Sequence, residues 1–278
     1  PRIMSKLSPS EVIGIVLQPI EKVSDTLERK LGLFSVVIIS LSAMIGSGLF
    51  VLPSLAYAEV GGGAWLAYLL AALVVMPGAV SKSELASAMP TSGGSYVYIE
   101  RVFGPAFGTM MGLSLWASFL LKAAFALIGF SAYLMFVQSE FGNYVTGIEA
   151  ALGMLVVVSL INITGIKRVK AVQTPIVALS LVLLIGLTIM AIVNGDTEWT
   201  RIEPDLQTKS DWIGMGETAA LVLVSYAGVT KVAAIGGEIK NPGRNLPGGI
   251  LTSLVIGAFL YAIVVATMTA AIPPELFV

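Results

Sequence analysis

From Leu33 to Ala271 the chain is a succession of apolar runs, most of them near the roughly 20 residues that a helix needs to cross hydrocarbon, separated by short segments that carry nearly all of the charge. Such a run can fold in few ways. No water is present in a bilayer core to satisfy backbone N–H and C=O groups, so each run must satisfy them within itself, and the helix does so. The chain is 56% hydrophobic and 12% charged, with a mean hydropathy of +0.90, far outside the range of water-soluble domains. The expected fold is therefore an all-α integral membrane protein. Seven transmembrane helices are expected, at about 33–58, 64–82, 104–137, 145–163, 172–193, 213–239 and 248–271.

Residues 1–32 are polar, with Lys6, Lys22, Arg29 and Lys30, and their one apolar run, Val12 to Leu17, is too short to span. No cleavage-site pattern follows it, so this segment reads as a cytoplasmic N-terminal segment and not a signal peptide. With that terminus inside, the inner segments hold Arg2, Lys6, Lys22, Arg29, Lys30, Lys82, Arg101, Lys167, Arg168, Lys170, Lys240 and Arg244, and the outer ones only Arg201 and Lys209. The positive-inside rule then sets the orientation in the cell (plasma or inner) membrane, with 194–212 as an extracellular loop.

The absence of cysteine and histidine removes thiol nucleophiles, disulfides, histidine triads, histidine proton relays and His/Cys metal sites. No metal and no cofactor is expected. A formal net charge of −1 argues against a nucleic-acid partner; the expected surroundings are a lipid bilayer.

Two places interrupt the aliphatic pattern. In the first span, Ala43-Met44-Ile45-Gly46-Ser47-Gly48-Leu49-Phe50 puts two glycines near mid-depth, where a helix is most easily broken. A break frees backbone groups and half-helix ends, which can hold a zwitterion's carboxylate and ammonium. The same glycines would equally serve close helix packing. In the sixth span, Ser225-Tyr226-Ala227-Gly228-Val229-Thr230 gives a second weak point at matching depth, followed at once by Lys231. An unpaired lysine there costs at least about 2.5 kcal/mol. Lys231 is thus the first candidate to carry a coupling proton, with Lys122 in the third span the second and Glu217 held behind them; a structural lysine paired with a carbonyl or with Glu238 is the alternative.

After the second weak point comes Gly237-Glu238-Ile239-Lys240-Asn241-Pro242-Gly243-Arg244-Asn245-Leu246-Pro247. By its residue types this ends a helix at Asn241-Pro242, makes a basic turn, and starts the next span with Pro247 in its first turn. Together with Ile45-Gly46-Ser47-Gly48-Leu49-Phe50, and with Glu84 and Pro90-Thr91-Ser92-Gly93-Gly94-Ser95-Tyr96, it resembles the motifs of amino acid permeases of the amino acid/polyamine/organocation family, in the same order.

The resemblance implies a five-plus-five inverted-repeat fold with helices 1 and 6 broken at mid-membrane and the substrate held between them. Residues 33–193 would be the first five-helix repeat and 213–278 the start of the second, so that the chain reads as a fragment lacking helix 8 onward. By the same resemblance, main-chain groups of Ile45, Gly46, Ser47 and Gly48 would take the substrate's carboxylate. Carbonyls near Met44 and at Tyr226, Ala227 and Gly228 would take its ammonium, with Tyr226 and Val229 near its side chain. The implied function is secondary active transport of amino acids or related amines by alternating access, with proton coupling among the possible mechanisms and no enzymatic activity.

Two other classes compete. Seven spans with a buried lysine suggest a receptor or photoreceptor, but that architecture places its N-terminus outside and its lysine on the last span. An intramembrane enzyme would need the histidine, cysteine or paired carboxylates that the spans lack.

Overall fold

The computed structural model describes residues 29–91, 93–141, 145–164, 166–194 and 197–273. The N-terminal segment expected to be cytoplasmic therefore lies almost wholly outside the described residues.

Helices occupy all seven apolar segments. The first segment is three pieces, α1 (Leu33–Met44), the single turn α2 (Ser47–Phe50) and α3 (Leu52–Val60). A turn of three glycines leads into α4 (Ala64–Ala88), and the short α5 (Ser95–Phe103) bridges to the long α6 (Pro105–Phe141). Then follow α7 (Gly147–Ile163), α8 (Ile166–Asn194), α9 (Lys209–Val222) and α10 (Pro242–Ala271). Among the described residues four helical stretches, Leu52–Ala88, Pro105–Gln138, Ser210–Ala234 and Pro242–Ala271, are long and apolar enough to cross a membrane.

Among the described residues there is no strand, and an isolated parallel bridge joins Leu31 and Ile239. There the N–H groups of Lys30 and Leu31 donate to the Glu238 carbonyl at 2.9 and 3.1 Å, and Lys240 N–H donates to the Leu31 carbonyl at 2.8 Å. The entry to the first segment is thereby tied to the exit from the sixth.

The core forms where α10 packs along α4 and α1. Small residues make this possible: Ala64, Ala67, Ala71, Ala79 and Ala86 put a low ridge on α4, all of them buried. On α10, Gly249 and Gly257 admit Val36 and Met44 of α1, whose side chains fill the space a Cβ would need. By contrast α6, α7 and α8 pack in sequence and leave Leu121, Phe136, Ile163 and Leu187 exposed, as side chains facing lipid or further protein would be.

The last helix begins earlier than the sequence suggested. Asn241 adopts a left-handed conformation (φ 44°) and Pro242 takes the first helical position, where a missing N–H costs nothing. Pro247 lies inside the helix, close enough to its start that only one backbone bond is forfeited.

Candidate functional site

The first break falls at Ile45–Gly46. The Ile45 N–H still reaches back to the Leu41 carbonyl at 2.9 Å, but Ile45 is itself extended (ψ 122°), which turns the chain out of the helix. Gly46 then opens the next turn, its carbonyl accepting from Leu49 N–H (2.9 Å) and Phe50 N–H (3.2 Å). The N–H groups of Gly46 and Gly48 are left without an acceptor four residues back, the orphan donors that any helix start exposes.

The second interruption is longer and of a different kind than the expected unwound stretch at 225–229. After Val222 the chain tightens into successive 3₁₀ turns up to Glu238. Its bonds span three residues: Ala227 to Val224, Val229 to Tyr226, Lys231 to Gly228 and Ala233 to Thr230. More of its backbone is satisfied locally than at the first break, because a 3₁₀ turn closes its own hydrogen bonds.

The two breaks lie against each other. A Cβ on Gly228 would be 2.1 Å from the Ala43 carbonyl oxygen and 2.6 Å from the Met44 nitrogen, and one on Gly48 would be 2.7 Å from the Ser225 Cα. Gly46 is different: nothing lies within 4 Å of its missing Cβ. The two meanings of these glycines in the sequence are therefore divided between them, Gly48 and Gly228 for packing and Gly46 for open space.

Three tyrosines hold this junction. Tyr68 of α4 donates its hydroxyl to the Gly48 carbonyl at 2.7 Å, and Ser225 Oγ donates to the same oxygen at 3.1 Å. Tyr226 donates to the Tyr68 carbonyl at 2.9 Å, and Tyr261 of α10 to the Ser225 carbonyl at 3.3 Å. The Tyr261 ring meets the other two edge-on, at centroid distances of 5.6 Å to Tyr68 and 5.2 Å to Tyr226, a favourable quadrupolar arrangement. All three are fully buried, so Tyr226 braces the break from its closed side, while the neighbouring Ala227 is exposed. Met44 and Val229 are also buried, and Ile45 and Gly46 are half-buried. Sequence reasoning passed over Tyr68 and Tyr261. The signal available was a phenol within an apolar run, whose hydroxyl must find a partner.

A cavity of about 310 Å³ opens on the first break, lined there by Ile45, Gly46, Phe50 and Val51, across from them by Ala126, Gly129, Phe130 and Tyr133 of α6, and by Ile176 and Ser180 of α8. A second, of about 370 Å³, adjoins it through Phe50 and Tyr133 and reaches Thr188 of α8 and Thr267 of α10. The Tyr133 hydroxyl donates to the Phe50 carbonyl. A larger hollow between α4 and α9, about 420 Å³, is lined by aliphatic residues and glycine alone, and offers nothing to a polar ligand.

Two lysines stand beside the second break. The Lys231 Nζ lies 4.6 Å from the centroid of the Phe119 ring, and Lys122, three residues beyond Phe119 on α6, has a buried Nζ with no hydrogen-bond partner among the described residues. A third, Lys82 of α4, donates to Thr230 Oγ1 at 3.4 Å. The connection between α4 and α5 meets the same segment: Gly93 N–H donates to the Ala234 carbonyl at 3.0 Å, and Gly94, at φ +58°, packs against Ala234. The three motifs singled out in the sequence are thus gathered around one pair of broken helices.

These features define a multi-pass helical membrane protein with a cavity at a helix break. The chain belongs to the amino acid permease family, whose model matches residues 35–276. An uncharacterized transporter of Mycobacterium tuberculosis is 30% identical over 256 residues, which are 91% of this chain and 55% of the relative. The branched-chain amino acid permease BcaP of Bacillus subtilis is 29% identical over 265 residues, 89% of this chain and 56% of the relative. The serine/threonine exchanger SteT of Bacillus subtilis is 27% identical over 240 residues, 84% and 53% of the two chains. The chain thus spans about half the length of the relatives it matches. Its family is one of permeases and not of enzymes, which also disfavours the receptor alternative.

Proposed function

We propose that this chain forms the substrate-holding part of a secondary active transporter that moves amino acids or related amines across the cell membrane by alternating access. In this reading seven helices span the bilayer with the N-terminus inside, residues 33–193 form one five-helix repeat and 213–278 begin its inverted counterpart, and both breaks sit at mid-membrane depth. The observation that carries the reading is at Gly46: its N–H lacks a helical acceptor, its missing side chain leaves open space, and a cavity of about 310 Å³ begins there. Main-chain groups of Ile45, Gly46, Ser47 and Gly48 hold the carboxylate, and carbonyls near Met44, Ala227 and Gly228 hold the ammonium, as the dipoles of broken helices favour. Tyr226 and Val229 shape the site from behind.

The test is uptake of a labelled amino acid panel by the full-length protein in liposomes. Accumulation of at least one amino acid over protein-free vesicles supports the reading, and accumulation of none across the panel overturns it.

Coupling to a proton on Lys231 is a companion reading, favoured because among the described residues no carboxylate pairs with this lysine. It expects an inward proton gradient to drive uptake, and Lys231→Met to abolish that response while substrate binding stays measurable. Gradient-driven uptake unchanged in Lys231→Met would remove the residue and bring Lys122 and Glu217 forward.

A further inference from the structure

The cavity at the first break has a polar end and an apolar body. At Gly46 the main chain is uncovered, with nothing within 4 Å of the missing Cβ. Away from Gly46 the wall is made chiefly by Ile45, Val51, Ala126, Phe130 and Ile176. Two side chains there carry a hydroxyl, Tyr133 and Ser180, and that of Tyr133 is already donated to the Phe50 carbonyl. Among the described residues that line the cavity none is charged.

The adjoining cavity continues in the same character. Leu184, Leu187, Val264 and Met268 line it, again with no charged residue among those described. Its two threonines spend their hydroxyls on their own helices, Thr188 on the Leu184 carbonyl and Thr267 on the Ile263 carbonyl, both at 2.8 Å. The side on which the first cavity is open, where Tyr133 and Ile176 are exposed, presents a ring and aliphatic carbon.

A ligand that fits this surface is polar at one end and apolar over the rest. An amino acid held at Gly46 by its α-carboxylate and ammonium lays its side chain along the wall that begins there. A second carboxylate, an ammonium or a guanidinium on that side chain would lose water and meet no opposite charge, whereas aliphatic or aromatic carbon gains by the same transfer. The volume of about 310 Å³ is at the small end of the range of ligand pockets and suits a single amino acid.

We infer that the substrates are amino acids with uncharged, apolar side chains, of the leucine and phenylalanine type, and that the side chain lies against Ala126, Phe130 and Ile176. This rests on the transport reading above and narrows it.

The experiment is uptake by liposomes of the full-length protein from a panel of labelled leucine, phenylalanine, alanine, serine, glutamate and lysine. The expected result is a kcat/KM for leucine or phenylalanine about tenfold or more above that for serine, and about a hundredfold or more above those for glutamate and lysine. Ala126→Leu, which adds bulk to the wall at an exposed position, should then lower the kcat/KM for leucine about tenfold relative to alanine, a change of selectivity that general damage to the fold does not produce. Serine, glutamate or lysine carried as well as leucine and phenylalanine would overturn the inference and leave the transport reading intact. An unchanged leucine-to-alanine ratio in Ala126→Leu would also overturn it, since the side chain would then lie elsewhere. Transport of nothing in the panel would defeat the transport reading and this inference with it. Because the wild-type panel decides the substrate class, failure of the variant to fold does not leave it open.

Discussion

Ser225 stands where a side chain on Gly48 would have to go: a Cβ there would lie 2.5 Å from Ser225 Oγ and 2.7 Å from Ser225 Cα. The same serine donates to the Gly48 carbonyl at 3.1 Å. Contact and hydrogen bond together fix the first broken segment against the sixth. Gly48→Ala is therefore expected to act on folding, by about 1–3 kcal/mol of overpacking, and to lower the thermal midpoint in detergent. An unchanged midpoint would mean the segments do not touch there.

Gly228→Ala makes the same kind of demand, but the nearest atoms its Cβ would meet are all main chain, those of Ala43 and Met44. Its Cβ would meet the Ala43 carbonyl oxygen at 2.1 Å, and main chain cannot swing aside as a serine hydroxyl can. The expected loss of stability is at least that of Gly48→Ala, checked by comparing the two midpoints; a milder effect for Gly228→Ala would contradict the packing described.

On α10 two further glycines separate by the stiffness of what they face. A Cβ on Gly249 would meet Val36 Cγ1 at 2.2 Å and Cβ at 2.8 Å, whereas one on Gly257 would meet Met44 Cε at 2.4 Å. A methionine end can rotate away and a β-branched valine cannot. Gly249→Ala should consequently be more destabilising than Gly257→Ala in a thermal unfolding series, and the reverse order would refute the reasoning.

The tyrosine cluster gives a fourth expectation. Tyr68→Phe leaves the Gly48 carbonyl with Ser225 as its remaining side-chain donor, a loss of about 1 kcal/mol. Tyr226→Phe strips the Tyr68 carbonyl of its hydroxyl donor. Because the two bonds share Tyr68, the double variant should depart from additivity; strict additivity in a double-mutant cycle would show that the cluster does not act as a unit.

Much of this architecture was legible in the sequence, for a physical reason. Apolar runs have one open-ended way to satisfy their backbone, and glycines within them mark where it fails, so the helices and both weak points could be placed. What the residues left open was set by contacts between segments. Whether Gly46 or Gly48 packs depends on Ser225, 177 residues away from Gly48. The second interruption runs on to Glu238 because its end is tied to Lys30 and Leu31, and no local pattern announces a bridge to Leu31. Pro247 looked like a helix start, yet the left-handed turn at Asn241 lets Pro242 begin the helix instead. Tyr68 and Tyr261 carried a signal in their buried hydroxyls, but their partners could be known only from the fold.

Gly46 tests the account most directly, since its missing Cβ has nothing within 4 Å and its backbone faces the cavity. The measurement is amino acid uptake by liposomes containing equal amounts of the full-length wild-type protein and its Gly46→Val variant, with thermal midpoints recorded for both. Uptake lost while the midpoint stays at the wild-type value is the predicted result, because the valine side chain would occupy the ligand's place without disturbing packing. Wild-type uptake in the variant would contradict the account and move the substrate away from the first break.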